Sequence, residues 1–234
     1  MPNTAQAAEI NVLSSNAIRQ AYLELVPQFE TSSGHTVKTT WAGSNDIVKR
    51  IAAGETCDLI IMSADALEKL VQDGMIAAGT RVNLVKSGVG VAVQAGAPKP
   101  DLSSGDTVKK ALIAARSVGY SSGPSGAYLQ SMFAKMGIGD ELKAKSKQTR
   151  PGTPVASIIR SGDVELGFQQ VSELVHEEDI DYVGPLPADI QHISLFAGGI
   201  HKAAKQPDAA KALAKFLTDP TIAPVIKKHG LEPG

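Results

Sequence analysis

Ile10-Asn11-Val12-Leu13-Ser14-Ser15-Asn16-Ala17-Ile18-Arg19-Gln20-Ala21-Tyr22 and, further on, Val37-Lys38-Thr39-Thr40-Trp41-Ala42-Gly43-Ser44-Asn45-Asp46-Ile47-Val48-Lys49-Arg50-Ile51 decide the fold of this chain. In each stretch a short apolar or β-branched run ends in Ser, Asn or Gly. Apolar residues then recur at helical spacing, as Ala17, Ile18, Ala21, Tyr22 and Leu25 in the first and Ile47, Val48 and Ile51 in the second. Both read as a strand that turns directly into a helix. The first N–H groups of a helix lack an intrahelical acceptor and carry the positive end of its dipole. A helix opening at a strand end therefore suits an anion, and two such openings imply that the chain holds a small one.

The pattern continues outward. Asp58-Leu59-Ile60-Ile61-Met62 reads as a third strand, with Ser63-Ala64-Asp65 opening a helix that runs to Val71. After a break at residues 73–79, residues 82–85 and 89–93 read as two strands leading away from the first unit. Residues 96–105 form a Gly/Pro/Ser-rich loop. A helix at 107–115 and a strand at 117–120 then lead to Ser121-Ser122-Gly123-Pro124-Ser125-Gly126, a third polar turn opening a helix at Ala127. Gln148-Thr149-Arg150 reads as a strand, Pro151-Gly152-Thr153-Pro154 as a turn and 155–161 as a helix. Glu165-Leu166-Gly167-Phe168-Gln169-Gln170 is a strand ending in two amides before another helix. A late strand at 193–197 and helices at 208–217 and 221–228 close the chain. This alternation is that of an α/β fold with mostly parallel strands.

Ligands of open parallel sheets lie outside the carboxyl ends of the strands. Here those ends carry Ser14, Ser15, Asn16, Ser44, Ser122, Arg150, Gln169 and Gln170, all uncharged or cationic. Each Ser or Asn taken singly is a helix cap; as a set they form an anion-binding edge. A planar carboxylate is matched by a guanidinium fork, which Arg150 could supply beside its Pro-Gly turn. Arg19, next to the Ile18/Tyr22 face, reads as a solvated side chain.

Composition excludes other classes. The net charge of −1 gives no field for nucleic acid, and the aromatic-plus-basic stretch 38–50 matches no nucleic-acid motif. No apolar run approaches the roughly 20 residues of a membrane span. Ala5-Gln6-Ala7 has the small-x-small pattern of a signal-peptidase site, so a periplasmic protein freed of its export signal is expected. A single cysteine, Cys57, rules out an internal disulfide and reads as a small buried hydrophobe. The five histidines lack metal-ligand spacing, and there is no P-loop, dinucleotide fingerprint or Ser-His-Asp arrangement. No metal or cofactor is expected. The titratable groups near the turns that could move a proton are Asp46, Tyr128 and Glu173.

These residues resemble the periplasmic molybdate-binding proteins, a type II solute-binding family of two α/β lobes around a ligand cleft. The resemblance rests on Gly43-Ser44 with residues 47–51, on Ala53-Gly54 followed by Cys57-Asp58-Leu59-Ile60-Ile61-Met62-Ser63-Ala64-Asp65, and on Pro207-Asp208-Ala209-Ala210-Lys211-Ala212 through Phe216-Leu217 and Pro220. It implies a first lobe of 9–85 plus 195–234, a second of 86–194, and crossings near 82–90 and 187–197. The family's first-turn serine falls on Ala17 and its second on Ser44; its second-lobe turn is kept as Pro124, Gly126 and Tyr128 with Ser125 where alanine is usual, Val155 matches a backbone-contact position, and its cleft tyrosine falls on Gln170. Two hydroxyls are thus replaced, and amides with Arg150 gained, which favours a small organic polycarboxylate over molybdate.

The chain is also similar to bacterial aconitate isomerases, which resemble the molybdate-binding proteins and interconvert trans- and cis-aconitate. Three readings follow: a monomeric binding protein for an aconitate-class anion, an aconitate isomerase, or a molybdate/tungstate receptor. A receptor would have the membrane subunit of an ABC importer as its partner.

Overall fold

The computed structural model of the protein describes residues 7–234, so Ala5 and Gln6 of the small-residue motif lie outside the described residues. The chain divides into two compact units. The first holds the described residues up to Val85 with Leu195–Lys228 and Glu232–Gly234; the second holds Lys86–Ser194 with His229–Leu231. The short segment 229–231 thus groups with the second unit, whereas the resemblance assigns the whole tail to the first.

The first unit starts with β1 (Glu9–Ser15), a 3-10 turn (Asn16–Ile18) and α1 (Arg19–Ser33), which ends on Gly34 at a positive φ of 72°. β2 (Thr36–Ala42), α2 (Ser44–Ala52), β3 (Leu59–Ser63) and α3 (Ala64–Gln72) follow. β1 pairs in parallel with β2 and β3. All five residues of β3 are buried, as an uninterrupted apolar strand covered on both faces should be. Leu13, Ile47, Ile51, Ile60, Met62 and Leu67 make the core between this sheet and its helices.

β4 (Val82–Gln94) then carries the chain into the second unit. The sequence suggests two strands here, but Lys86-Ser87-Gly88 stays extended and the strand runs unbroken over 13 residues. Ser-Gly is a turn signal only where the backbone adopts a turn, and Gly88 has no positive φ.

The second unit continues with α4 (Gly105–Ala114), β5 (Val118–Tyr120), α5 (Pro124–Lys135), α6 (Gly139–Lys143) and β6 (Ser146–Gln148). After these come α7 (Val155–Arg160), β7 (Leu166–Gln170), the single turn α8 (Val171–Leu174) and β8 (Ile180–Pro185). β5 pairs in parallel with β6 and β7, while β4 runs antiparallel to β7 and β8. Val91, Val118, Leu129, Phe133 and Phe168 centre the larger core of this unit.

β9 (Ile193–Ile200) returns the chain antiparallel to β3, followed by α9 (Pro207–Phe216), α10 (Ala223–Lys228) and β10 (Glu232–Pro233). The fold is α/β as expected, but the crossing strands β4 and β9 pair antiparallel with their neighbours. Each sheet is therefore mixed. β6 ends at Gln148, two residues short of the expected strand, which leaves Thr149 and Arg150 in the turn.

Candidate functional site

At the carboxyl end of the first sheet, Ser14 is fully buried, level with Trp41 of β2 and Ile61 of β3. Its hydroxyl has one weak outlet, donating to the Ser15 carbonyl at 3.3 Å. The Ser15 hydroxyl accepts from the Ala17 N–H at 3.4 Å and so caps the 3-10 turn. Asn16, half-buried, opens that turn. Ser44 begins α2 behind Gly43, and its buried hydroxyl accepts from the Ser63 N–H at 3.0 Å, linking α2 to the end of β3. Asp46 is half-buried in the first turn of α2, where the helix dipole favours its charge. Beside these, the exposed Arg19 places its guanidinium carbon 5.4 Å from the centroid of the half-buried Trp41 ring. Tyr22 meets the same ring edge-on at 5.3 Å and shares a 2.9 Å hydrogen bond with the Thr39 hydroxyl.

In the second unit the turn after β5 is built on serines. Ser121 and Ser125, both buried, share a hydrogen bond of 2.9 Å, and the Ser121 hydroxyl also accepts from the Gly123 N–H at 3.2 Å. Ser122 between them is half-buried. Gly126 is obligatory, because a Cβ there would lie 1.7 Å from the Ser121 carbonyl oxygen. Beyond β6, the Thr149 hydroxyl is buried without a hydrogen-bond partner among the described residues, next to the exposed Arg150.

At the end of β7 the two amides do different work. Gln169 uses its side-chain oxygen to accept from the Val155 N–H at 2.8 Å, satisfying one orphan donor at the start of α7. Its N–H₂ is then free to serve the Glu173 carboxylate, half-buried in α8. Desolvation pushes the Glu173 carboxyl up to about 7; the Gln169 hydrogen bond opposes this and the Glu177 charge adds to it. Gln170 turns elsewhere. With its N–H₂ toward the Gly88 carbonyl at 3.2 Å and the Ser87 carbonyl at 3.1 Å, its oxygen accepts from the Ser194 hydroxyl at 2.9 Å. It thus spans β4 and β9 where they enter the unit, with Ser172 adding a 3.4 Å contact to Ser87.

Tyr128 stacks on His192 with centroids 4.6 Å apart, and its hydroxyl donates to the Ile190 carbonyl at 2.6 Å. Burial raises its pKa, with the Asp189 charge adding to the shift. A raised, already engaged phenol is a poor base.

The arginines sort into two kinds. Four of the six in the sequence pair with carboxylates: Arg50 with Glu55 at 2.6 Å, Arg81 with Glu68 at 3.8 Å, Arg160 with Glu177 at 3.2 Å, and Arg116 with Glu165. Arg19 and Arg150 have no carboxylate partner among the described residues, and one lies in each unit. No group of three or more His, Cys, Asp or Glu among the described residues could hold a metal ion.

The structure therefore gathers Ser14, Ser15, Asn16 and Ser44 at one sheet end. In the second unit it ties Val155, Gln169 and Glu173 together and turns Gln170 to the crossing strands. Sequence reasoning missed Ser63, Ser121 and Thr149, whose types are ordinary and whose roles depend on register. It also missed the contact of Arg19 with Trp41; the signal lay in an arginine on the first turn of α1 facing the end of the neighbouring strand.

Comparisons with known proteins bear on the family and the fold. A family model described as bacterial extracellular solute-binding protein matches residues 10–232. An aconitate isomerase from a Pseudomonas species is 36% identical over 230 residues, covering 96% of this chain and 87% of that protein. The molybdate-binding protein ModA of Azotobacter vinelandii is 26% identical over 232 residues, covering 97% and 90%. The solved periplasmic molybdate-binding protein of Azotobacter vinelandii superimposes with a TM-score of 0.81 at 20% identity, covering 96% of this chain and 99% of that one. With a family match across nearly its whole length, the chain belongs to the bacterial extracellular solute-binding proteins.

Proposed function

We propose that this protein is a periplasmic aconitate isomerase, which binds a small organic polycarboxylate of the aconitate class and shifts an allylic proton within it. The observation that carries this reading is the Glu173 carboxyl, held by Gln169 and brought close to neutrality by its surroundings. A general base works best with a pKa near the working pH. Glu173 takes a proton from the methylene carbon of the substrate; the electron pair forms the new double bond. Glu173 then returns the proton, or one exchanged for it from solvent, to the CH carbon of the old double bond, so the carboxylate is regenerated and the sum is an isomer with nothing added or lost.

The remaining groups bind. Within the second unit, Arg150 supplies a fork for a carboxylate, and the Ser122 hydroxyl and the uncommitted Thr149 hydroxyl are further donors; within the first, Ser14, Asn16 and Ser44 mark a sheet end suited to an anion. Hydroxyl and guanidinium donors stabilise the dienolate-like charge that develops as the proton leaves. The 36% identity to an aconitate isomerase supports the same substrate class.

The test is incubation with trans-aconitate in deuterated water, followed by NMR. Catalytic appearance of cis-aconitate with deuterium at the shifted carbon is expected, with Glu173→Gln binding normally but turning over at least a hundredfold more slowly. Binding without conversion or exchange would leave a receptor that hands its ligand to the membrane subunit of an ABC importer. Tight molybdate binding with no response to any polycarboxylate would refute both the ligand class and the reaction.

A further inference from the structure

Arg19 is an exposed arginine with no anionic partner among the described residues, yet it is held in place. Its guanidinium lies over the face of Trp41, with the carbon 5.4 Å from the ring centroid, inside the range of a cation–π contact. The ring is itself fixed. Tyr22 packs against it edge-on, and the Tyr22 hydroxyl is tied to Thr39 of the same strand as Trp41. An unpaired surface arginine ordinarily samples many rotamers, and stacking on an anchored ring reduces that freedom.

Its location decides what it is for. Trp41 stands level with Ser14 in the β1–β2 register, and three residues later the chain reaches Ser44. Arg19 follows directly on the 3-10 turn that Ser15 caps. Over the ring at this distance the guanidinium spends no N–H on a hydrogen bond, so its N–H groups remain for the two oxygens of a carboxylate. The contrast with Arg50 is direct: that fork is already filled by both Glu55 oxygens at 2.6 Å.

We propose that Arg19, positioned by Trp41, grips a carboxylate of the ligand and sets its preference for organic polycarboxylates over tetrahedral oxyanions. This deepens the function proposed above and rests on its ligand class. Arg19 is a binding residue here, and Trp41 is a positioning residue that acts through it.

The chain has a single tryptophan, so the emission of Trp41 reports directly on its surroundings. The probe is tricarballylate, the saturated tricarboxylate, which binds without reacting. It is titrated by calorimetry into wild type, Arg19→Ala, Arg19→Lys, Trp41→Leu and Trp41→Phe, and by tryptophan fluorescence into the first three, which keep Trp41, with molybdate as the second ligand. Wild type should bind tricarballylate with a change in Trp41 emission. Arg19→Ala should weaken it at least tenfold with no matching loss for molybdate, and Arg19→Lys should recover only part, since an ammonium has charge but no fork. Trp41→Leu should weaken binding several-fold by calorimetry, with Trp41→Phe closer to wild type, because an aromatic face is restored. Wild-type binding with an Arg19→Ala dissociation constant within twofold would overturn this inference and leave the ligand class standing. Failure of wild type to bind any di- or tricarboxylate would overturn both.

Discussion

The side-chain oxygen of Gln169 accepts from the backbone N–H of Val155 at 2.8 Å, and that bond fixes which end of the amide Glu173 meets. With the oxygen occupied, the N–H₂ is the group left to hold the Glu173 carboxylate. One amide therefore both caps α7 and orients the carboxyl in α8. A residue that does two jobs gives two readouts when it is replaced. Gln169→Leu should lower stability by about 1–3 kcal/mol through the unpaired Val155 N–H. It should also move the acid limb of the pH–rate profile upward, because the hydrogen bond it removes holds the Glu173 pKa down. An unmoved profile would show that Gln169 only caps the helix.

Glu173 itself makes stability depend on pH in a stated direction. Its carboxyl is raised from 4.5 to about 7, so between those values the native state keeps a proton that the unfolded chain has released. Its contribution is most favourable below about pH 4.5 and is lost as the pH rises through 7. Glu173→Gln, which keeps the shape without the charge, should raise stability relative to wild type by roughly 1–3 kcal/mol at pH 8 and by little at pH 4. Urea melts at the two pH values check it. An equal difference at both would mean the carboxyl is not perturbed in this way.

Gln170 is predicted to matter for the fold rather than for contact with ligand. Its amide joins Gly88 and Ser87 of β4 to Ser194 of β9, with Ser87, Gln170 and Ser194 all at least 95% buried. Gln170→Leu leaves the Ser194 hydroxyl and the Gly88 carbonyl without that partner in a buried setting. A loss of about 2–4 kcal/mol in urea unfolding is expected. A variant as stable as wild type would mean that water replaces the amide freely.

The α/β alternation was legible because its period is set by burial. The run Leu59 to Met62 has one sensible place, the middle of a covered sheet, and each strand end is marked by Ser or Gly before a 3.6-residue pattern. The direction of β4 and β9 was not legible, since apolar alternation is the same in parallel and antiparallel pairing. The candidate site was legible by residue type but not by partner. Ser15 and Ser44 stand at the turns expected of them, yet whether a buried hydroxyl caps a helix or waits for a ligand depends on neighbours such as Ala17 and Ser63. Gln169 and Gln170 are adjacent and chemically identical, and alternation along β7 sends them to opposite tasks.

The turn after β5 gives a steric prediction. A Cβ on Gly126 would approach the Ser121 carbonyl oxygen to 1.7 Å and its carbon to 2.8 Å, both backbone atoms that cannot rotate away. Gly126→Ala must therefore push the first turn of α5 off Ser121 and break the Ser121–Ser125 hydrogen bond. The expected cost is about 3 kcal/mol or more, with ligand affinity falling alongside it. Gly123→Ala is the control, since its Cβ would meet nothing closer than the Ser121 hydroxyl at 3.6 Å. Equal melting temperatures for the two variants would contradict the assignment.

The last prediction concerns Asp58, which lies just before β3 with 2% of its surface exposed. One carboxylate oxygen accepts from the Asn11 N–H at 2.8 Å, and the other accepts from the N–H groups of Lys205 and Gln206 at 2.7 and 2.8 Å. These last two lie at the start of α9, where Gln206 offers no side-chain cap of its own, so Asp58 caps that helix from 148 residues away in sequence. Its negative charge also sits favourably against the helix dipole. Asp58→Ala strands three backbone donors and should cost about 3–5 kcal/mol, enough to threaten folding of the first unit. Asp58→Asn is the informative variant. It keeps one acceptor oxygen but turns an N–H₂ toward donors on the other side, so part of the stability should return. Amide hydrogen exchange should show Lys205 and Gln206 protected in wild type and opened in Asp58→Asn if the retained oxygen stays with Asn11. Unchanged protection at both amides would place the retained oxygen on α9 and move the loss to Asn11.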